Sequence, residues 1–145
     1  MISSVGGRNA LPFAGPYGAS KFAIEGLSES LRRELMLFGI DVVIVAPGAV
    51  VTPIWEKTES AVEGFDNTLY APAIEKMKGV MLDAAAKGLP PDRIGEAVKT
   101  ALTAPRPKVR YTVAPNPFQV WLTRVLPRRI VDNMIAGRVG LKRAT

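Results

Sequence analysis

A tyrosine and a lysine four residues apart are the side chains of this sequence best suited to acid–base chemistry. Tyr17 and Lys21 stand in the run YGASK, near the start of a predicted helix. A spacing of four puts both side chains on one face of that helix, one turn apart. A lysine ammonium beside a phenol stabilises the phenolate, so the tyrosine can donate and accept a proton near neutral pH. The alternative for an isolated pair of this kind is a helix-surface tyrosine beside a solvated lysine.

Other chemistries are excluded by residue types that the sequence lacks. Its 145 residues include no cysteine and no histidine. Disulfides, thiolate catalysis, Ser-His-Asp catalysis and cysteine- or histidine-based zinc sites are therefore excluded. Any acid–base chemistry has to use Tyr, Lys, Asp or Glu, and we predict no metal site.

The order of predicted elements indicates an α/β architecture with a parallel sheet. Apolar residues at helical spacing mark the helix that begins at Tyr17, and Gly39 is expected to end it. An Asp92 cap after two prolines is expected to start another helix. The predicted segments are a strand end at 1–5, a loop at 6–16, a helix at 17–38, a buried strand at 40–46, helices at 69–87 and from 92 onward, and a strand at 109–113. These strands are too few for a doubly wound sheet, so we expect the fold to be incomplete on its N-terminal side.

Three sequence runs, in this order and spacing, carry a family resemblance. Ser4 lies in ISSVGG, thirteen positions before Tyr17; the helix opens with GPYGASKFAIEG; and PGAVVT follows the predicted buried strand. Together they resemble the C-terminal half of a short-chain dehydrogenase/reductase, closely over residues 1–115 and more loosely beyond. The segment after Gly48 resembles the branch that acts on steroids, retinoids and other lipophilic alcohols.

The resemblance implies a catalytic role for three residues. Tyr17 would be the general acid in carbonyl reduction and the base in alcohol oxidation. Lys21 would assist Tyr17 and hydrogen-bond the nicotinamide ribose, and Ser4 would hold and polarise the substrate oxygen. The alternative for Ser4 is a serine at a strand end or turn, and for Ser3 we favour that alternative.

The resemblance also implies a nicotinamide cofactor, NAD or NADP. Beside Tyr17 and Lys21, its binding residues would be Pro47 and Gly48 at the turn after the strand, the Val50 backbone and the Thr52 hydroxyl. The alternative for Thr52 is a turn or cap before Pro53. The family's glycine-rich phosphate-binding turn is absent from this sequence. We therefore predict a partial Rossmann-type fold, a doubly wound parallel sheet lacking its N-terminal nucleotide-binding half, and an isolated chain without a full cofactor site.

The resemblance and the charge pattern divide the chain into two predicted parts and suggest one function. We interpret residues 1–115 as the C-terminal half of a catalytic domain and residues 116–145 as a basic amphipathic extension. The predicted function is NAD(P)-dependent reduction of a carbonyl or oxidation of an alcohol, with a lipophilic substrate and a homo-oligomeric full-length protein. The alternative is a non-catalytic fragment that binds a partner through its open sheet edge or its tail.

The positive charge of the chain is concentrated in its tail. Residues 106–145 carry nine Lys or Arg and one acid, Asp132, whereas residues 1–105 are slightly acidic. Large apolar side chains interleave with these charges, unlike a groove that follows phosphates, so we predict no nucleic-acid partner. Contact with a membrane surface is one interpretation of the tail. We favour the other, a helix that closes over the substrate site or packs at a subunit contact.

Two further expectations concern apolar residues and location. Ile54, Trp55 and the methionines of the helix at 69–87 could line an apolar pocket or be ordinary core, with equal weight. No apolar run is long enough to cross a bilayer, and a cytoplasmic location, with the tail peripheral to a membrane as a further option, is the default.

Overall fold

The computed structural model describes residues 1–58 and 65–141. Within them it has two parallel strands and five α-helices, which confirms the predicted α/β class. The strands are β1 (Ile44–Pro47) and β2 (Arg110–Val113). The helices are α1 (Gly15–Leu35), α2 (Ala71–Ala86), α3 (Pro91–Thr103), α4 (Pro117–Val125) and α5 (Arg128–Val139). Short 3-10 turns span Val5–Gly7, Met36–Phe38 and Pro53–Thr58.

Strand β1 lies between β2 and the N-terminal segment. Ile44 of β1 pairs with Arg110 of β2 in parallel register. On the other edge Ile2 forms a parallel bridge with Val45, whose N–H donates to the Met1 carbonyl at 2.9 Å. Ile44, Val45 and Ala46 are all at most 3 % exposed. The prediction of a strand buried on both faces is thus confirmed for the second half of the predicted segment.

Helix α1 buries a different face from the one that its hydrophobic periodicity indicates. Its buried residues are Gly18, Glu25 and Ser28. Members of the apolar series at helical spacing are exposed or half-buried: Ala23, Leu27, Leu31, Leu35 and, just after the helix, Phe38. Small and charged side chains let α1 approach the turn Val5–Gly7 closely, so the apolar series lies on other sides of the helix.

Helix boundaries follow local chemistry, with one correction. Gly39 adopts a left-handed conformation at φ 65° and ends the turn after α1, as predicted. The Asp92 cap was wrong, because Pro90 is the N-cap and Pro91 the first residue of α3. Proline is suited to that first position since its missing N–H has no helical partner there. Asp92 instead lies in the first turn, where a carboxylate favours the helix dipole.

The C-terminal helices share a core with the middle of the chain. Helices α2 and α5 pack against each other, and the buried apolar residues of the two are Ala73, Ile74, Met77, Ala85, Val131 and Val139. Met77 is therefore core, whereas Ile54 is 66 % exposed. Among the described residues, no helix combines the length and the apolar character needed to span a membrane.

Candidate active site

Ser4 stands where the N-terminal segment leaves β1. It is 8 % exposed and its backbone is extended. Its Oγ accepts a hydrogen bond from the Gly6 N–H at 3.0 Å and donates to the Pro47 carbonyl at 3.4 Å. The serine thereby caps the turn Val5–Gly7 and reaches the carboxyl end of β1. Ligands bind at this end of the strands in open α/β sheets.

Tyr17 and Lys21 lie on the first two turns of α1, facing the same side. The Lys21 Nζ is 5.8 Å from the centroid of the Tyr17 ring, within the range of a cation–π contact. The same ammonium donates to the Ile2 carbonyl at 3.4 Å. Tyr17 is 52 % exposed, so its ring is open to a ligand. Lys21 therefore joins the phenol to the segment that carries Ser4.

Gly6 lies close to both Ser4 and Tyr17, and sequence reasoning assigned it only to a loop. A β-carbon built on Gly6 would lie 3.3 Å from Tyr17 Cε1 and 3.5 Å from Ser4 Oγ. The serine and the tyrosine are thus both brought close to one backbone position. Its lack of a side chain leaves room between them. A glycine two residues after a candidate catalytic serine was the available signal.

Gly7 sets how closely this turn meets α1. A β-carbon there would be 2.5 Å from Ser3 Oγ and 3.0 Å from the Lys21 carbonyl oxygen. No side chain fits without a shift of backbone. Ser3 itself is buried, and its Oγ has no hydrogen-bond partner among the described residues. The turn and the helix are therefore fixed against each other by backbone contact.

The residues expected at the cofactor lie along the chain that leaves β1. Gly48 donates its N–H to the Val113 carbonyl at 2.8 Å, and a β-carbon there would be 2.9 Å from the Ala114 Cβ. The segment after β2 therefore leaves room only for glycine at position 48. The Val50 carbonyl accepts from the Trp55 indole at 2.7 Å. Thr52 is half-buried just before the turn Pro53–Thr58.

Of Pro47, Gly48, Val50 and Thr52, Pro47 is the one that a described hydrogen bond joins to Ser4, Tyr17 or Lys21, through Ser4 Oγ. Gly48 follows it directly. For Val50 and Thr52, the described residues show no hydrogen bond to Ser4, Tyr17 or Lys21. Their roles at a cofactor stay predictions.

A largely buried charge cluster contacts the backbone of Ser4, and sequence reasoning missed it. Glu25 of α1 accepts from Arg8 Nε at 2.9 Å and from Arg110 Nε at 3.2 Å. Arg110 also donates through Nη2 to the Ser4 carbonyl at 3.2 Å and through Nη1 to Thr112. Burial lowers the pKa of Arg110 from its ordinary value, and the Glu25 carboxylate acts in the opposite direction. The cluster joins the helix of Tyr17, the turn of Ser4 and strand β2.

Residues 1–63 of the chain include the whole Ser4, Tyr17 and Lys21 set. They match the family model described as short chain dehydrogenase. The chain belongs to the short-chain dehydrogenase family. Members of this family are oxidoreductases with a Rossmann-like fold, so the chain holds part of such a fold.

Individual relatives agree with the family match. The NADPH-dependent 3-dehydrocapnine reductase of Ornithobacterium rhinotracheale is 34 % identical over 135 residues, which is 92 % of this chain and 48 % of that protein. Estradiol 17-beta-dehydrogenase 1 of Rattus norvegicus is 40 % identical over 77 % of this chain and 33 % of its own length. Retinol dehydrogenase 16 of Mus musculus is 30 % identical, with 92 % and 46 % covered.

The chain spans between a third and a half of the length of these short-chain dehydrogenases. That coverage agrees with the prediction that the sequence holds part of the family's fold. Relatives named for estradiol and for retinol also agree with the predicted resemblance to the steroid and retinoid branch.

Proposed function

We propose that this chain is the catalytic part of an NAD(P)-dependent oxidoreductase that interconverts a carbonyl and an alcohol, with Tyr17 as general acid and base. The observation that carries the proposal is the arrangement around Gly6. Ser4 Oγ and the Tyr17 ring both lie within 3.5 Å of a β-carbon built on it, and the Lys21 ammonium is 5.8 Å from that ring. A carbonyl oxygen between Ser4 and Tyr17 would meet two hydroxyl groups, which is the requirement for polarising and protonating it.

The proton chemistry follows from these groups. In reduction, the carbonyl π bond breaks as the carbon receives a hydride, and the oxygen takes the proton of Tyr17 Oη. The phenolate that remains is stabilised by the Lys21 ammonium and regains a proton from solvent. In oxidation, the same phenolate removes the alcohol proton as the hydride leaves. In both directions the single O–H of Ser4, which donates to the Pro47 carbonyl at 3.4 Å, would turn to donate to the substrate oxygen instead.

The residues present fit the nicotinamide end of the cofactor. The cofactor supplies or accepts the hydride when bound. An ammonium has three donors, and the described residues take up one of those of Lys21, at the Ile2 carbonyl. The others are available to ribose hydroxyl groups. Pro47, Gly48, Val50 and Thr52 would line the nicotinamide side, whereas this sequence has no glycine-rich turn for the pyrophosphate.

An aromatic pair that includes Phe13, close to Tyr17 in sequence, supports a lipophilic substrate. Phe13, four residues before Tyr17, has φ 63°, an uncommon conformation for a bulky residue. Its ring contacts Tyr70 edge to face at 6.0 Å, and both rings are about half exposed. Non-glycine residues held in this region often occur at functional sites. The names of two relatives, which refer to estradiol and retinol, support the same substrate class.

Activity measurements on the full-length protein test the proposal. Hydride transfer is assayed with NADH and with NADPH against a panel of steroid and retinoid ketones, aldehydes and alcohols. Phe13→Ser should raise KM for these substrates more than it lowers kcat, because it removes contact area and no reacting group. If the full-length protein shows no turnover with either cofactor, in reduction or in oxidation, the alternative of a non-catalytic interaction fragment is the better explanation.

Cofactor titration of the 145-residue chain tests the expectation of an incomplete site. The expected result is no binding of NADH or NADPH at micromolar concentrations by fluorescence or calorimetry. The reason is the absent phosphate-binding turn, which is the main anion-binding element of such sites. Micromolar binding of either dinucleotide would show that the chain holds a complete cofactor site.

We propose further that α4 contacts a membrane surface. Phe118, Trp121 and Val125 lie on one face of α4, each more than half exposed, and the two rings stack at 5.7 Å. Arg128 and Arg129 begin α5, separated from the end of α4 by two residues, so an apolar face is followed by positive charge as in interfacial helices. In a sedimentation assay, vesicles of phosphatidylglycerol and phosphatidylcholine should bind the chain. The double variant Phe118→Ser with Trp121→Ser should lose that binding. Equal binding by the double variant would exclude α4 as the contact.

We also propose that the full-length protein is a homo-oligomer. Leu27, one of the apolar series on α1, is 53 % exposed, and Leu37 beyond the helix is 85 % exposed. A subunit contact would cover them. Light scattering coupled to gel filtration should give a multiple of the monomer mass, and a monomer at micromolar concentration would contradict this.

A further inference from the structure

A cleft rich in arginine lies between α1 and the C-terminal helices. Its volume is about 510 Å³. It is lined by five arginines, Arg8, Arg32, Arg110, Arg124 and Arg128, and by two glutamates, Glu25 and Glu29. The cleft also includes Ile44 and Val109, at the amino ends of the two strands, but not Ser4, Tyr17, Lys21 or Pro47. It is therefore a site separate from the one at the carboxyl ends of the strands.

The carboxylates of this cleft are already engaged. Glu25 is shared by Arg8 and Arg110, and the side chains of Glu25 and Arg110 are each only 10 % exposed. Glu29 pairs with Arg33, which does not line the cleft. Within residues 1–58 and 65–141, the other three arginines, Arg32, Arg124 and Arg128, form no ion pair. The cleft thus holds an excess of positive charge in partly enclosed surroundings.

The arginines divide into a fixed base and available ligands. Arg110 uses Nε, Nη1 and Nη2 on Glu25, Thr112 and the Ser4 carbonyl, so its position is set by the fold. The nearby charges of Arg8 and Arg124 lower its pKa further, which reflects repulsion among like charges. A bound anion would relieve that repulsion. Arg32, Arg124 and Arg128 come from three different helices or ends of helices, and guanidinium forks suit oxyanions because they donate in pairs.

We propose that this cleft binds a phosphate-type oxyanion, with Arg32, Arg124 and Arg128 as its ligands above the Arg8–Glu25–Arg110 cluster. The anion is either free phosphate or the headgroup of a phospholipid. The second source is open because α4 carries Arg124 into the cleft and Phe118, Trp121 and Val125 on its exposed face. Neither source requires a nicotinamide cofactor, so the site can be tested without catalysis.

Calorimetric titration of the 145-residue chain with inorganic phosphate, at constant ionic strength, is the direct test. The variant Arg124→Gln with Arg128→Gln removes two ligands, and the control Arg106→Gln with Arg138→Gln removes the same charge from exposed positions outside the cleft. Loss of charge-assisted hydrogen bonds should weaken binding about tenfold or more in the cleft variant. The control should stay within about twofold, as expected for screened surface charges. If the double variant is unfolded by circular dichroism, the two single substitutions replace it.

Vesicles distinguish the two sources of the anion. Phosphatidylglycerol vesicles that bind the chain and are displaced by millimolar phosphate, with the cleft variant binding about tenfold more weakly, identify a lipid headgroup. If the chain binds phosphate but its binding to vesicles is the same with and without the Arg124 and Arg128 substitutions, the ligand is the free anion. The proposal is wrong if phosphate gives no binding heat up to the highest millimolar concentration used, or if the control variant loses as much affinity as the cleft variant.

Discussion

Two regions of the chain differ in how closely they are packed. At the corner of Ser4 and Tyr17, a β-carbon on Gly7 would lie 3.0 Å from the Lys21 carbonyl, so turn and helix are in backbone contact. Along α4, Phe118, Trp121 and Val125 are each more than half exposed. The turn that carries Gly7 packs so closely against α1 that a residue larger than glycine does not fit there, whereas the face of α4 is exposed to solvent. Substitutions should therefore change geometry at the corner and association at α4.

The largest expected effect is the removal of the Tyr17 hydroxyl. In the full-length protein Tyr17→Phe should lower kcat by about 10²- to 10⁴-fold, because a general acid and base is lost. The matched control is Tyr70→Phe, which also deletes one exposed phenol hydroxyl but leaves the Phe13 contact. Steady-state kinetics at saturating cofactor measure both. Wild-type turnover by Tyr17→Phe would remove the basis of the proposed mechanism.

The second prediction compares two carboxylates on one helix. Glu25→Gln should lower the free energy of unfolding by about 3 kcal/mol, because it leaves the buried Arg110 without its partner. Glu29 also pairs with an arginine, but its side chain is 51 % exposed. Glu29→Gln should therefore cost about 0.5 kcal/mol or less. Urea unfolding followed by circular dichroism measures the difference, and equal effects would contradict the structural role of the buried cluster.

A third prediction compares two glycines. Gly7→Ala should destabilise the protein by about 1–3 kcal/mol and displace Ser4, because its β-carbon meets backbone and Ser3. Gly95, in α3, has no atom within 4 Å of a built β-carbon. Gly95→Ala should stabilise the protein by about 0.5–1 kcal/mol, since alanine is the better helix former. Thermal and urea unfolding check the signs, which should be opposite.

The smallest expected effect is at the exposed face of α4. Trp121→Ala should change the free energy of unfolding by about 0.5 kcal/mol, as for other surface positions. Val131 of α5 is 1 % exposed, so Val131→Ala should cost about 2 kcal/mol through lost burial and a cavity. A Trp121→Ala cost as large as that of Val131→Ala would show that α4 is packed rather than exposed.

Local signals made the secondary structure predictable, and long-range contacts limited the rest. The end of the first helix followed from Gly39, and the buried strand followed from the apolar run around Ile44 and Val45. The buried face of α1 did not, because periodicity detects apolar residues and this face carries Gly18, Glu25 and Ser28. The Asp92 cap failed because two prolines already fix the start of α3.

The candidate site shows the same division. Ser4, Tyr17 and Lys21 could be chosen from spacing and family resemblance, and the structure brings Ser4 and Tyr17 close to Gly6 and Lys21 close to the Tyr17 ring. The ion pairs of Glu25 with Arg8 and Arg110 could not be predicted from the sequence. Their partners are 17 and 85 residues away in sequence, and an arginine in a short strand gives no sign of where its guanidinium reaches.

The hydrogen bond from Arg110 to the Ser4 carbonyl connects residues 106 positions apart. A ribosome that adds roughly 5–20 residues per second needs roughly 5–20 s to pass from one to the other. During this interval the turn at Ser4 exists without the guanidinium that later holds it. Closing so long a loop is also slow compared with forming α1, whose contacts are local. A nascent chain therefore carries the residues proposed for acid–base chemistry well before their surroundings are complete, and β2 is the element that supplies the last of these contacts.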